Sequence, residues 1–137
     1  MATFLGNWAV VMAVFASAIT VSYAAEQPGF PQAQIDMGAA VFREKCIGCH
    51  NPDLNAGGFG PALKGAFFWN SWENKSAREL YGRILSTMPA NDPGSLSQRE
   101  VLSLTAFILH ANGYPIGDTT LKGPEDLGPI RISRAEH

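Results

Sequence analysis

Cys46-Ile47-Gly48-Cys49-His50 constrains this chain more than any other run of its residues. The spacing C-x-x-C-H is that of a c-type haem attachment site. Thiols at i and i+3 can add to the two vinyl groups on one edge of a haem. The adjacent histidine then lies under the iron and can bind it through an imidazole nitrogen. The pentapeptide therefore implies one covalent haem c, attached through Cys46 and Cys49, with His50 as proximal ligand. Other uses of paired cysteines fit less well. Zinc sites usually take four Cys or His ligands, and both cysteines of the chain already lie in the motif. A thioredoxin-like C-x-x-C sits in a βαβ pattern, and no alternating strand pattern is visible.

The 137 residues suit one small domain preceded by an address. Residues 1–25 contain no Lys, Arg, Asp or Glu, and residues 4–23 are almost continuously apolar. Ser22-Tyr23-Ala24 or Tyr23-Ala24-Ala25 resembles a small-residue cleavage site. Residues 1–25 thus read as a signal peptide, and the rest of the chain as periplasmic. Covalent haem attachment in bacteria takes place on that side of the membrane. The leader lacks an initial cationic stretch and is long enough to span a bilayer. An uncleaved anchor on the periplasmic face of the inner membrane is therefore the alternative, and membrane contact is expected only if the segment is retained. All charge lies beyond it, 10 Lys and Arg against 12 Asp and Glu. A net charge of −2 gives no footprint for nucleic acid. The part after the leader is short for a core of its own, burying about two-thirds of its unfolded surface. A haem would add an apolar centre.

Residues 26–32 form a Pro- and Gly-containing linker. Residues 31–46 read as a helix: Ile35, Ala39, Phe42 and Cys46 share one face, and Pro31 suits its entry. That helix delivers Cys46 to the haem edge. Residues 51–65 hold Asn-Pro, Gly-Gly and Gly-Pro breakers and read as a loop. Phe67, Phe68, Trp69 and Trp72 form an aromatic cluster suited to ordinary core packing. Trp69 and Trp72 also carry indole N–H donors that can reach a buried carboxylate, such as a haem propionate. Ser76-Ala77-Arg78-Glu79 and Ser97-Gln98-Arg99-Glu100 are two capping boxes that open helices. The first helix stops before Met88-Pro89; the second runs through Val101, Leu104, Phe107 and Ile108 to Asn112-Gly113.

Met37, Met88, His110 and His137 are the candidates for the iron's second axial position. Met37 precedes Cys46 on the same predicted helix and should point away. His110 ends an apolar helix, and His137 ends a polar tail. Met88 closes a helix where the chain must cross the distal face, and a thioether ligand there raises the reduction potential.

With these residues in place the chain resembles the small single-haem class I cytochromes c, over residues 35–113. Besides the attachment motif, Gly38 and Phe42 match the first-helix Gly and aromatic that pack on the last helix. Gly60-Pro61-Ala62-Leu63 is similar to the loop whose proline carbonyl accepts from the proximal imidazole. Met88-Pro89 matches the distal segment, and residues 104–109 match the last helix, with Phe107 as partner of Gly38. The resemblance implies an all-α cytochrome c fold, three to five helices with long loops around one covalent haem. The domain would cover residues 33–113, followed by a C-terminal extension over 114–137. It also implies Cys46, Cys49, His50, Pro61 and Met88 around the cofactor. The chain departs from the family in lacking a lysine ring at the haem edge and in running well past the last helix.

A narrower resemblance is to cytochrome subunits that accept electrons from periplasmic dehydrogenases, notably quinoprotein alcohol dehydrogenases. It rests on Met88-Pro89, Pro93-Gly94-Ser95-Leu96-Ser97, residues 105–109 and Asn112-Gly113-Tyr114-Pro115. It implies one-electron transfer from such a dehydrogenase to a downstream cytochrome or terminal oxidase, without an enzymatic activity of the chain's own. A permanent subunit of a sulfite-dehydrogenase-like or membrane complex is the second reading. A sensor or peroxidase-like enzyme with an open sixth site is the third. For docking, Lys64 and Lys75 are isolated in sequence, so an apolar haem rim is expected, with Ile47, Ala56, Ala62 and Ala90 as candidates. Residues 114–137 should either bind a partner or wrap the domain.

Overall fold

The computed structural model describes residues 26–55 and 58–135. The leader, Ala56 and His137 lie outside the described residues. Five α-helices follow in order: α1 Gln32–Lys45, α2 Ile47–His50, α3 Ala66–Trp72, α4 Ala77–Thr87 and α5 Gln98–Ala111. A 3-10 turn, Pro124–Leu127, lies in the C-terminal extension. Among the described residues there is no β-strand, only two isolated bridges. The fold is all-α, as expected. None of the described helices is long and apolar enough to cross a membrane.

α5 is the centre. Residues 101–106, Ile108 and Leu109 are all buried, which suits a helix apolar on most sides and covered on most sides. Its buried Thr105 hydroxyl donates to the Val101 carbonyl at 2.8 Å, so that polar group is satisfied inside the helix. α1 crosses α5 closely. A Cβ on Gly38 would stand 2.1 Å from the Ser103 carbonyl oxygen and 2.7 Å from the Phe107 Cβ. Only glycine permits this backbone approach. One turn on, the Phe42 and Phe107 rings meet with centroids 5.5 Å apart. The Gly38–Phe107 contact read from the sequence is present.

Both capping boxes form. The Ser76 and Ser97 hydroxyls accept from Glu79 N–H and Glu100 N–H, and each glutamate carboxylate accepts from the backbone N–H of its serine at 2.8 Å. α4 ends at Met88, whose N–H still donates to the Ile84 carbonyl. α1 and α2 meet at Cys46, so the attachment motif lies on a bend between two helices. α3 was not anticipated as a helix. Its seven residues are mostly aromatic and lack a side-chain cap, so no local start signal marks it.

The ends of the chain are packed too. Residues 26–32, read as a linker, bury Phe30 completely and stack it on Tyr114, centroids 6.0 Å apart. The extension buries Tyr114, Leu121, Leu127, Ile130 and Ile132 in the same core. Gln34 clamps it to α1: its amide nitrogen donates to the Leu121 carbonyl at 2.8 Å, and its oxygen accepts from Leu121 N–H at 3.0 Å. Of the two roles open to residues 114–137, wrapping the domain is the one observed over the described part.

Candidate haem site

Helices α1 to α5 enclose a cavity of about 670 Å³, within the roughly 300–1,000 Å³ typical of ligand and cofactor sites. Cys46, Cys49, His50, Pro61, Trp72 and Met88 all line it. Its other walls are largely apolar, among them Phe42, Leu63, Leu80, Ile84, Leu96, Leu104 and Ile108. α5 supplies the back, α4 one side, and the bend at Cys46 the edge where the motif sits.

His50 is buried, and its Nδ1 lies 2.8 Å from the Pro61 carbonyl oxygen. A carbonyl can only accept, so Nδ1 carries the proton and Nε2 keeps its lone pair. The Pro61 carbonyl thus selects the tautomer that can bind a metal through Nε2 and holds the ring in place. Gly60 packs flat on the same imidazole: a Cβ there would come within 2.7 Å of Cε1. The backbone keeps this loop near the motif, since Gly60 N–H donates to the Cys49 carbonyl at 2.9 Å.

Cys49 is exposed and Cys46 half-buried, both as free thiols. Burial pushes the Cys46 thiol up to about 11, against the opposing effect of Lys45 beside it. Met88 is half-buried at the C-cap of α4. The remaining candidates for the second axial position are accounted for differently. Met37 lines a separate cleft between the start of α1, the start of α5 and the extension. His110 donates from Nδ1 to the Tyr114 carbonyl at 2.8 Å and so closes the end of α5. Trp69 is absent from the cavity lining: it meets Phe68 edge-on and lies under the Arg134 guanidinium. Only Trp72 of the two tryptophans faces the site. Ala62 is buried and so is no part of an exposed rim, whereas Ile47 and Ala90 are exposed.

The sequence reading missed three cations on the cavity wall. Among the described residues, Lys45, Lys75 and Arg83 line it, and no Asp or Glu does. Lys45 is paired with Glu100 at 3.1 Å. Lys75 stands over the Trp72 ring, 5.0 Å from its centroid. Residues this far apart in sequence show no basic run; the helices bring them together. Phe59 was missed as well, 98% exposed on the mouth of the cavity, and Phe67, read as part of a core aromatic cluster, stands there 51% exposed while Phe68 is buried.

These features fit a haem. Two thiols stand beside a histidine of the right tautomer, a thioether lies on the same cavity, the walls are largely apolar, and the charged side chains among its described lining residues are all cations. Such a group supplies reversible one-electron chemistry at iron. Cys46 and Cys49 would hold it by thioether bonds, and His50 and Met88 would be the residues that bind its iron.

Comparison with curated protein sequences finds no match. Among solved structures, the chain is similar to one from the sulfane dehydrogenase SoxCD of Paracoccus pantotrophus. The TM-score is 0.58 and the identity 18%, over 92% of this chain and 68% of that one, a likeness of fold. Residues 33–108 match the family described as cytochrome C oxidase, cbb3-type, subunit III. The chain belongs to that cytochrome c family and is a single-haem electron-transfer cytochrome.

Proposed function

We propose that this protein is a periplasmic carrier of single electrons, taking them from a dehydrogenase of the quinoprotein type and passing them to a downstream cytochrome or terminal oxidase. The observation that carries the reading is the His50–Pro61 hydrogen bond, which leaves Nε2 free on a cavity shared with Cys46, Cys49 and Met88. On this reading His50 and Met88 would both be engaged in binding the iron, and the chain's part would be to keep the haem dry and to expose one edge. The side chains of Leu80, Ile84, Leu96 and Leu104 exclude water. The residues after Pro31 start the haem-bearing domain, and export of residues 1–25 would place attachment outside the cytoplasmic membrane.

A second reading makes the chain a fixed subunit of a dehydrogenase complex. The fold it shares with the SoxCD chain favours this reading. Membrane or complex retention after a high-salt wash would separate it from a free shuttle.

The first test is attachment. Denatured protein should keep one haem per chain in mass spectrometry, and Cys46→Ala with Cys49→Ala should abolish this. Extraction of the haem by acidified organic solvent would refute covalent binding. The second test is reduction of the purified holoprotein by periplasmic dehydrogenases in stopped flow. A quinoprotein donor should reduce it; reduction by a molybdenum-type donor alone would reassign the partner.

A further inference from the structure

The family match ends at residue 108, yet the chain beyond it reaches back to the haem cavity. The point of contact is the corner between α3 and α4, residues 73–76, which carries Lys75 and follows Trp72. Residues 130–134 grip that corner from one side. Asn74 N–H donates to the Ile132 carbonyl, Ile132 N–H to the Lys75 carbonyl, and Ala77 N–H to the Ile130 carbonyl, each at 2.8 Å. The Arg131 guanidinium donates to the Asn74 carbonyl at 2.7 Å. Glu73 is paired with Arg134 at 3.2 Å. Asn74 sits at φ 67, in the left-handed region, which asparagine tolerates better than most residues. Both of its backbone polar groups are thus satisfied by the extension rather than by its own helices.

This arrangement has an electrostatic consequence. Lys75 lines the cavity, with its ammonium over the Trp72 ring. Among the described residues no carboxylate lies within salt-bridge distance of it. Lys75 is exposed, and a lysine stem is flexible. Its backbone carbonyl is nevertheless bonded by Ile132, and its N–H donates to Trp72. The extension therefore fixes the backbone from which this cation projects, and the Trp72 ring lies under its ammonium.

We infer that the C-terminal arm is a positioning element for Lys75, and that by holding this cation on the cavity wall it raises the haem's reduction potential. The inference rests on the reading of the cavity as the haem site. A cation beside the haem disfavours the ferric form, which carries one more positive charge than the ferrous form. Arg131 and Ile132 act through Lys75 and are not among the residues that line the cavity.

The experiment is a double-variant cycle on the holoprotein, read as midpoint potential. Lys75→Ala should shift the ferrous/ferric equilibrium toward ferric by on the order of fivefold, tenfold being 59 mV for one electron. Lys75→Arg should restore the wild-type value. Arm release by Arg131→Ala with Ile132→Pro should shift it in the same direction as Lys75→Ala. In the Lys75→Ala background, arm release should add almost nothing. Faster amide exchange at Asn74 and Ala77 would verify that the arm has let go. A full-sized shift in the Lys75→Ala background would overturn the inference, as would an unmoved potential despite released amides. Should the double variant fail to retain haem, Ile132→Pro alone removes the N–H that bonds the Lys75 carbonyl without changing any charge, and is read by the same cycle. Absence of covalent haem from the wild-type protein would instead refute the haem site itself, so the two failures are distinct.

Discussion

The two side chains proposed to hold the iron have different backgrounds. His50 is buried, oriented and supplied with the correct tautomer by the Pro61 carbonyl. Met88 is placed by the end of α4, where its backbone N–H closes the last turn, and by packing against the core. A thioether is a weak, soft ligand, so its removal should leave the proximal side intact. Met88→Ala should open the sixth position, lower the potential, and admit carbon monoxide or cyanide. The ferric far-red absorption band of methionine ligation should vanish. Persistence of that band in the variant would move the ligand to another residue. An open-site sensor or peroxidase-like enzyme would already lack the band in the wild-type protein.

Helix pairing and helix ends give two further expectations. The α1–α5 crossing has no room beyond hydrogen at Gly38, where a Cβ would meet a backbone carbonyl at 2.1 Å. Backbone cannot step aside as a flexible side chain can. Gly38→Val should therefore destabilise the fold by about 1–3 kcal/mol or more through overpacking. A thermal midpoint equal to wild type would count against the crossing. At the start of α5, the Ser97 backbone N–H, the Ser97 hydroxyl and Lys45 hold the Glu100 carboxyl below its usual range. A carboxyl lowered on folding stabilises the folded state fully above its unfolded value, about 4.3. That contribution fades as pH falls through the lower folded value. Ser97→Ala should cost about 1 kcal/mol at neutral pH. Denaturant midpoints should show the gap between variant and wild type narrowing on acidification below the usual glutamate range. A gap constant over that range would mean that the Ser97 hydroxyl is not part of what lowers Glu100.

For the whole molecule, the docking face is set by what surrounds the cavity mouth. Phe59 and Phe67 are exposed there at 98% and 51%, and Ile47, inside the attachment motif, is exposed at 36%. The net charge of the chain is only −2. Long-range steering should be weak under these conditions, and electron transfer with a purified donor dehydrogenase should depend only shallowly on ionic strength. Phe59→Ser should slow the reaction at low and physiological salt alike. A many-fold loss of rate between those two salt levels would instead implicate the cations of the cavity wall, Lys45, Lys75 and Arg83, as the docking charges.

Local rules carried far in this chain because its decisive signals are short in range. The attachment motif needs five consecutive residues, and each capping box needs four. Proline at 89 and glycine at 113 end helices through their own backbone chemistry. Hence Cys46, Cys49 and His50, and helices α1, α4 and α5, were readable without coordinates. Gly38, Pro61 and Met88 became readable once the pattern around them resembled a known family. The rest depended on residues distant in sequence. No local feature tells that Trp69 turns to Arg134 while Trp72 faces the cavity, or that Ala62 is covered. The cationic wall joins positions 45, 75 and 83, which no sequence window unites. The grip of residues 130–134 on Asn74 and Lys75 is made by backbone groups, whose hydrogen-bonding capacity is the same at almost every residue. Side-chain identity cannot encode which of them will meet; chain closure over the core decides it.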